Sequence, residues 1–226
     1  TRLIAGARVD RWQARDERTA VSTGMMGTAP NPTANVERKR TLPSGFGRVE
    51  HDLAQGGTTV YAGLGHVERF PDYWELVSTS RESTTSLSAF LTRPERTTQL
   101  DMGLVHRAGA LQVSVSGFAN RIDDYILIQS DFRKGMRLAS VSRNVDARTL
   151  GAEADAQLAV GRSLKLTGTV AYTRGHNVTD DGALAQMPPL ELRVGADYGR
   201  GRWHAGALLR HVAAQQRVAV NQGNVV

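Results

Sequence analysis

Apolar and polar residues alternate with a period of two along much of this chain. The clearest run spans residues 150–160, where one set of alternate positions is apolar: Leu150, Ala152, Ala154, Ala156, Leu158 and Val160. The positions between them are small or polar: Gly151, Glu153, Asp155 and Gln157. Because successive side chains of a β-strand point to opposite faces, this pattern predicts a strand with one apolar face.

The same pattern recurs along the chain. It is strong at residues 164–173, 190–198 and 203–210, and weaker copies lie at residues 3–9, 100–104 and 111–115. None of these segments has the spacing of about 3.6 residues that an amphipathic helix requires. The sequence therefore predicts an all-β protein with about ten strands.

Short and long connections alternate between the predicted strands. The short ones lie at residues 54–57, 108–110, 161–163 and 199–201. The long ones lie at residues 13–43, 71–95, 129–137 and 176–188, and a last one follows Val212. In an up-and-down antiparallel sheet this order puts all short turns at one end, as in outer-membrane barrels. We therefore predict an antiparallel up-and-down transmembrane β-barrel rather than a sandwich with Greek-key crossovers.

Charged side chains fall on one face of the predicted strands. They are Arg8, Asp10, Asp101, Glu153, Asp155, Glu191, Arg193, Asp197 and Arg210. A charge on the lipid face of a barrel costs about 2–4 kcal/mol at the bilayer midplane, so we expect this face to line the lumen. In the alternative, a soluble all-β protein, the charged face would meet solvent and the aliphatic face would form the core.

Composition narrows the classes of protein. With 40% hydrophobic and 22% charged residues, the 226-residue chain is not of the disordered type. It lacks an apolar segment long enough for a transmembrane helix, and it has no cysteine for a disulfide or thiolate site. The net charge of +6 favours anionic partners. For the basic run 37–40 we expect solvent or lipopolysaccharide phosphate, and no nucleic acid.

Motifs for catalysis or metal binding are missing from the sequence. No nucleophile elbow, zincin or Walker pattern occurs, and Ser114 and Ser116 have no evident histidine partner, so we predict that the chain is not an enzyme. The adjacent pair Met25 and Met26 would point in two directions in an extended chain, and no close methionine–histidine spacing occurs. We therefore predict no metal ligand and no bound cofactor.

Two segments resemble signatures of the TonB-dependent outer-membrane receptors. Residues 68–76 read ERFPDYWEL, similar to the pattern F-x-P-x-x-x-E-L, and residues 93–104 resemble the later signature, with Asp101 in place of the usual Glu. The positions that carry the resemblance are Phe70, Pro71, Glu75, Leu76, Pro94, Glu95 and Gly103, although Phe70 directly precedes Pro71 where the pattern has one residue between them. Residues 144–153, 186–193 and 221–226 are similar to the copper-receptor branch of this family.

The resemblance implies a barrel of about 22 strands around an N-terminal plug. Residues 1–226 would then be part of the barrel domain, without the plug and the final strands. It also implies uptake of copper, as the transported ligand, across the outer membrane of a Gram-negative bacterium. The energy would come from the TonB complex. A ferric-siderophore receptor is the nearer alternative and a passive porin the more distant one.

The resemblance also indicates partners. These are the receptor's own plug, the TonB complex through that plug, and the lipid and lipopolysaccharide of the outer membrane. The lumen-facing residues that we expect to hold the plug are Asp101, Glu153, Asp155, Glu191, Arg193 and Asp197.

Overall fold

A computed structural model describes residues 1–24, 27–53, 57–77, 80–81, 86–134 and 136–219. Its strands are β1 (Arg2–Arg15), β2 (Ala20–Gly24), β3 (Gly27–Pro30), β4 (Glu37–Leu53), β5 (Thr58–Arg69), β6 (Ser80–Arg81), β7 (Glu95–Ala108), β8 (Leu111–Lys134), β9 (Arg137–Val160), β10 (Leu164–Asn177), β11 (Gly182–Ala183), β12 (Glu191–Arg200) and β13 (Trp203–Val212). One short helix, α1, spans Tyr73–Val77. Among the described helices, none is long and apolar enough to cross a bilayer.

Nine long strands form one antiparallel meander, in the order β1-β4-β5-β7-β8-β9-β10-β12-β13. The all-β, up-and-down architecture predicted from the sequence is confirmed, with nine long strands rather than ten. Strand β6 pairs with β9, β11 pairs with β10, and β2 and β3 form a separate hairpin. Within the described residues the meander is open, because β1 and β13 each pair with one neighbour only.

The strand register gives the sheet one continuous aliphatic face. Ala154 lies between Val115 of β8 and Val170 of β10, and Leu158 lies between Leu111 and Leu166. These side chains are not covered by protein, and Leu64 and Leu209 on the same face are 59% and 67% exposed. The residues predicted to be charged and lumen-facing all occupy the opposite face.

Each short turn contains a glycine in the left-handed backbone region. Gly57, Gly109, Gly161 and Gly201 have φ values of 60°, 55°, 61° and 60°. Only glycine adopts this conformation without steric cost, which explains the tight reversals at this end of the sheet. The last of these turns lies at Gly201–Arg202 rather than at 199–201, because β12 continues to Arg200 and pairs with Trp203.

Two predicted long loops are shorter than expected. Residues 129–137 are not a loop, since β8 and β9 remain paired up to Lys134 and Arg137. Each of these strands has 24 residues, about 80 Å of extended chain, so the hairpin projects well beyond a bilayer. The predicted loop 13–43 shrinks to residues 16–36. Outside the membrane a strand needs no apolar face, so alternation does not reveal it.

The buried apolar residues lie at the long-loop end and not within the membrane wall. They include Leu42, Leu76, Ala89, Phe90, Ile126, Leu127, Val141, Val145 and Leu184. The long connections therefore fold into a packed cap over this end of the sheet.

Candidate functional site

The six predicted lumen residues share the polar face but form three groups. Glu153, Asp155, Glu191 and Arg193 line one groove across β9, β10 and β12. Asp197 lies nearer the short turns, opposite Lys165 of β10. Asp101 lies on β7, opposite Gly63 and Phe118. The wall therefore carries a charged groove with two separate acidic positions.

Ion pairing in the groove is uneven. The Glu191 carboxylate accepts hydrogen bonds from Nε and Nη2 of Arg210 at 2.9 and 2.8 Å, and another from Arg193. Glu153 and Asp155 have no hydrogen bond or ion pair to any residue that the structure describes. Two carboxylates on the lumen wall are thus available to an external donor.

A second charged cluster lies on β4 and β5. Glu50 forms salt bridges with Arg48 at 2.8 Å and Arg2 at 3.1 Å, and the Arg48 guanidinium lies 3.8 Å from the centre of the Tyr61 ring. Gly103 makes room for this ring: a Cβ there would lie 2.6 Å from the Tyr61 hydroxyl and 2.5 Å from the Val115 carbonyl oxygen. This contact is the physical reason for glycine at Gly103.

The first receptor signature forms a packed corner at the long-loop end. The Phe70 ring stacks on Trp12 of β1 with a centroid distance of 4.6 Å, and Pro71 and Leu76 are buried. The Asp72 side chain accepts from the Glu75 backbone N–H at 2.8 Å, while Glu75 accepts from the Asp72 backbone N–H at 2.8 Å. This reciprocal capping box begins α1.

Arg69 joins the two receptor signatures. Its guanidinium donates to Glu75 at 2.9 and 3.1 Å and to Glu95 at 2.7 Å. The second Glu95 oxygen accepts from the Ile126 backbone N–H at 2.6 Å. Pro94 is half-buried immediately before Glu95. The signature residues therefore fasten the loop between β5 and β7 to the rim of the sheet.

A β-bulge in β8 receives the arginines beside Pro94. The register shifts between Ile122 and Tyr125, and Asp124 has a φ of 60°. Its carboxylate accepts from Arg93 at 2.7 Å and from Arg96 at 2.8 Å. These charge-assisted bonds fix the point at which the β8–β9 hairpin leaves the membrane wall.

A buried network around Asp16, which we call the Asp16 latch, joins the loop after β1 to the loop before β7. Asp16 is 2% exposed and accepts from Arg18 at 2.7 Å, Asn31 at 2.9 Å and Thr33 at 2.7 Å. The Thr33 hydroxyl lies 2.8 Å from that of Ser88, and Arg18 donates to the Val77 carbonyl at 2.8 Å.

The Asp16 latch changes the pKa of the Asp16 carboxyl group. Burial alone would raise the pKa of Asp16. The hydrogen bonds from Arg18, Thr33 and Asn31 outweigh burial and hold this pKa well below its usual value. Neither this latch nor Asp124 is among the residues predicted from the sequence. Asp124 had one signal, the break in alternation at Ile122-Asp123-Asp124-Tyr125, whereas the latch residues lie in a loop without periodicity.

The basic run at residues 37–40 begins strand β4, and its residues do not share one environment. Arg38 turns into the cap, where it donates to the carbonyls of Phe90 and, at 2.9 Å, Thr92. Its guanidinium lies 5.5 Å from the Trp12 ring centre. Arg38 is therefore not a solvated or lipid-facing cation, whereas Lys39 is exposed and paired with Glu37 at 2.8 Å.

Within the described residues, no group of three or more histidine, aspartate or glutamate side chains is close enough to hold a metal ion. Met25 and Met26 lie outside those residues. The structure therefore offers the lumen groove, and no metal centre, as the candidate functional site of the described chain.

Comparison with known proteins gives a solved structure of high identity. The copper transporter OprC is 48% identical over 98% of this chain and 34% of its own, with a TM-score of 0.90. The ferric-catecholate receptor Fiu from E. coli K12 is 14% identical over 93% of this chain and 31% of its own, with a TM-score of 0.63. The Serratia marcescens hemophore receptor HasR is 15% identical over 94% and 40%, with a TM-score of 0.69.

The similarity to Fiu and HasR, at 14–15% identity, shows a shared fold only. The chain spans roughly a third of the length of each of the three structures. No curated protein matched the sequence. The family described as TonB dependent receptor-like, beta-barrel matches residues 1–226. Two receptor signatures are joined at the rim of the sheet, which has one polar and one aliphatic face. This chain belongs to the TonB-dependent receptors, as a part of their β-barrel.

Proposed function

We propose that this chain forms part of the wall of an outer-membrane receptor that imports copper ions by TonB-dependent active transport. The observation that supports it most is the 48% identity, over nearly the whole chain, to a copper transporter. The receptors for iron chelates and haem are similar in fold at 14–15% identity. This identity is too low to infer that the chain shares their ligands. Copper here is the cargo, and the chain's own residues hold no cofactor in this proposal.

In this proposal the lumen groove holds the plug. Glu153 and Asp155 carry negative charge on a wall without a protein donor for them among the described residues. A plug segment that presents arginine, lysine or backbone N–H groups would supply the missing hydrogen bonds. Glu191 and Arg193 add a paired position beside them, and Asp101 and Asp197 add two further contacts along the bore.

The wall would move little during transport. Antiparallel strand pairing is continuous from β1 to β13. The cross-strand bonds from Arg210 to Glu191 also brace the groove. The path for the ion must then open by rearrangement of the plug. Ser114 and Ser116 lie on the same wall opposite Asp155 and Glu153, with which they form no catalytic dyad. The proposed function has no covalent step.

The plug contact is tested in the complete receptor with the double variant Glu153→Gln, Asp155→Asn. Loss of two charged acceptors should expose the plug to protease in the folded barrel, while the barrel itself still inserts. Asp181→Asn removes an exposed loop carboxylate instead and serves as the control. Equal protection of the plug in both variants would remove these two residues from the plug contact.

Transport is tested by uptake of radioactive copper in cells that express the complete receptor, with and without TonB. TonB-dependent copper accumulation is expected. Accumulation of a ferric siderophore in its place would retain the receptor mechanism and change the cargo. Uptake that does not depend on TonB would refute active transport and indicate a passive porin.

A further inference from the structure

Three adjacent strands carry an arginine at the same position on the outward face. On β8, β9 and β10 the aliphatic run ends, on the long-loop side, at Arg121, Arg148 and Arg174. Arg121 is directly opposite Arg148, and Arg174 is opposite Leu150, the outward residue next to Arg148. We call these three exposed side chains the arginine row.

The arginine row lies at the height of the outer membrane surface. The aliphatic run of β9 extends from Leu150 to Val160, a rise of about 33 Å along the strand. With a strand tilt of about 40°, this run spans about 25 Å, the height of the lipid-facing band of outer-membrane barrels. Long loops mark the outer side of such barrels, so Arg148 lies where the outer-leaflet headgroups begin.

The protein pairs only one of these three arginines with an acidic side chain that the structure describes. Arg121 donates to half-buried Asp123 at 2.9 Å, but Arg148 and Arg174 have no hydrogen bond or ion pair to any described residue. His176 lies opposite Arg148 on the other side and contacts Asp181 at 3.3 Å. Like charges directly opposite each other destabilise a sheet, so an external anion bound between Arg121 and Arg148 would reduce their repulsion.

We propose that the arginine row binds the phosphate groups of lipopolysaccharide in the outer leaflet. Guanidinium groups match phosphate oxygens with paired, charge-assisted hydrogen bonds. The surface just below the row is apolar, and Leu150 and Tyr172 are 51% and 43% exposed there. Acyl chains fit this surface, whereas a free phosphate ion would use the arginines alone.

This site differs from the basic run at residues 37–40. Arg38 of that run is engaged inside the cap, and the run lies on β4, several strands away in the sheet. The inference rests on outer-membrane placement, which the receptor family implies, and not on the identity of the cargo.

The test uses the complete receptor in mild detergent, with binding of bisphosphorylated lipid A measured by native mass spectrometry. The double variant Arg121→Gln, Arg148→Gln should bind lipid A at least about tenfold more weakly than the wild type. Arg162→Gln, in the short turn at the opposite end of the sheet, is the matched control and should bind as the wild type does. Heat-modifiable electrophoresis confirms that each variant is folded.

Further measurements keep the test decisive. If the double variant does not fold, the single variant Arg148→Gln replaces it and should lose part of the lipid A binding. Dephosphorylated lipid A should bind the wild type weakly, and inorganic phosphate at millimolar concentration should not displace lipid A. Equal binding by the double variant and Arg162→Gln, or tight binding of the dephosphorylated lipid, would overturn the proposal. Copper uptake measured in parallel reports on the proposed function independently.

Discussion

Charge substitutions on adjacent residues of β10 test which face of the sheet meets lipid. Val170 lies on the aliphatic face between Ala154 and Leu192, and Thr169 lies on the lumen face opposite Asp155. Val170 is six residues from Leu164, where the strand begins, a rise of about 20 Å along the chain. With a tilt of about 40° it lies about 15 Å above the short-turn side, close to the middle of the lipid band.

Val170→Arg should therefore carry nearly the full midplane cost of about 2–4 kcal/mol. That cost corresponds to a shift of about 30-fold to 700-fold in the folding equilibrium. Leu166→Arg lies about 5 Å from the same surface and should cost about 0–1 kcal/mol. Thr169→Arg places its charge between Asp155, which has no described partner, and Arg193, which is paired with Glu191. The attraction and the repulsion oppose each other, so the variant should be close to neutral.

The free energy of unfolding is measured for the complete receptor in lipid vesicles by denaturant titration, with tryptophan fluorescence and heat-modifiable electrophoresis as signals. The expected order of destabilisation is Val170→Arg, then Leu166→Arg, then Thr169→Arg. Equal costs for Val170→Arg and Thr169→Arg would refute the assignment of the faces. A larger cost at Leu166 than at Val170 would refute the depth scale.

Three further predictions concern the cap and the wall. Asp16→Asn removes charge-assisted hydrogen bonds worth about 1.5–3 kcal/mol each. Amide hydrogen exchange should therefore become faster in residues 16–36 and 86–92 but not in β10. Unchanged exchange rates in these loops would contradict the latch. Because the pKa of Asp16 is lowered in the folded state, the latch should be at full strength above about pH 4 and weaken as the pH falls through the lower folded pKa. Limited proteolysis of these loops measures this dependence, which Asp16→Asn should lack. Gly103→Val should displace the Tyr61 ring and destabilise the barrel by about 1–3 kcal/mol in vesicle unfolding, whereas Gly47→Val, with open space around its Cβ position, should cost less.

The sequence was sufficient to predict the membrane wall. One lipid face requires strict alternation over each strand, so the two faces of β9, β10 and β12 and of the first part of β8 could be derived from the apolar positions alone. The short turns were evident for a related reason, since each needs a glycine with positive φ. The same rule placed the six charged residues on the face opposite the aliphatic one, as the register shows, and both their lumen position and their contact with the plug remain predictions.

The cap could not be predicted from the sequence. Outside the lipid both faces of the β8–β9 hairpin meet water or protein, so residues 129–137 at its tip lack a periodic signal and the sequence predicts a loop there. The latch brings Asp16, Asn31 and Ser88 together across 72 residues of chain, and nothing local in the sequence indicates such a contact. The receptor signatures were found as motifs, but their pairing through Arg69 required the structure.

The open edges of the meander have a consequence for assembly. Along β1 and β13 about half of the backbone N–H and C=O groups point away from the sheet, and β13 has ten residues. In hydrocarbon each unpaired backbone group costs several kcal/mol. The free-energy cost of an unpaired edge is therefore larger than the contribution of any single side-chain interaction described above. Strand partners must therefore satisfy both edges before the wall is stable in lipid. Because backbone groups are the same in every residue, the partner strands of both edges are selected by the alternation of their apolar and polar positions, and not by any individual side-chain contact.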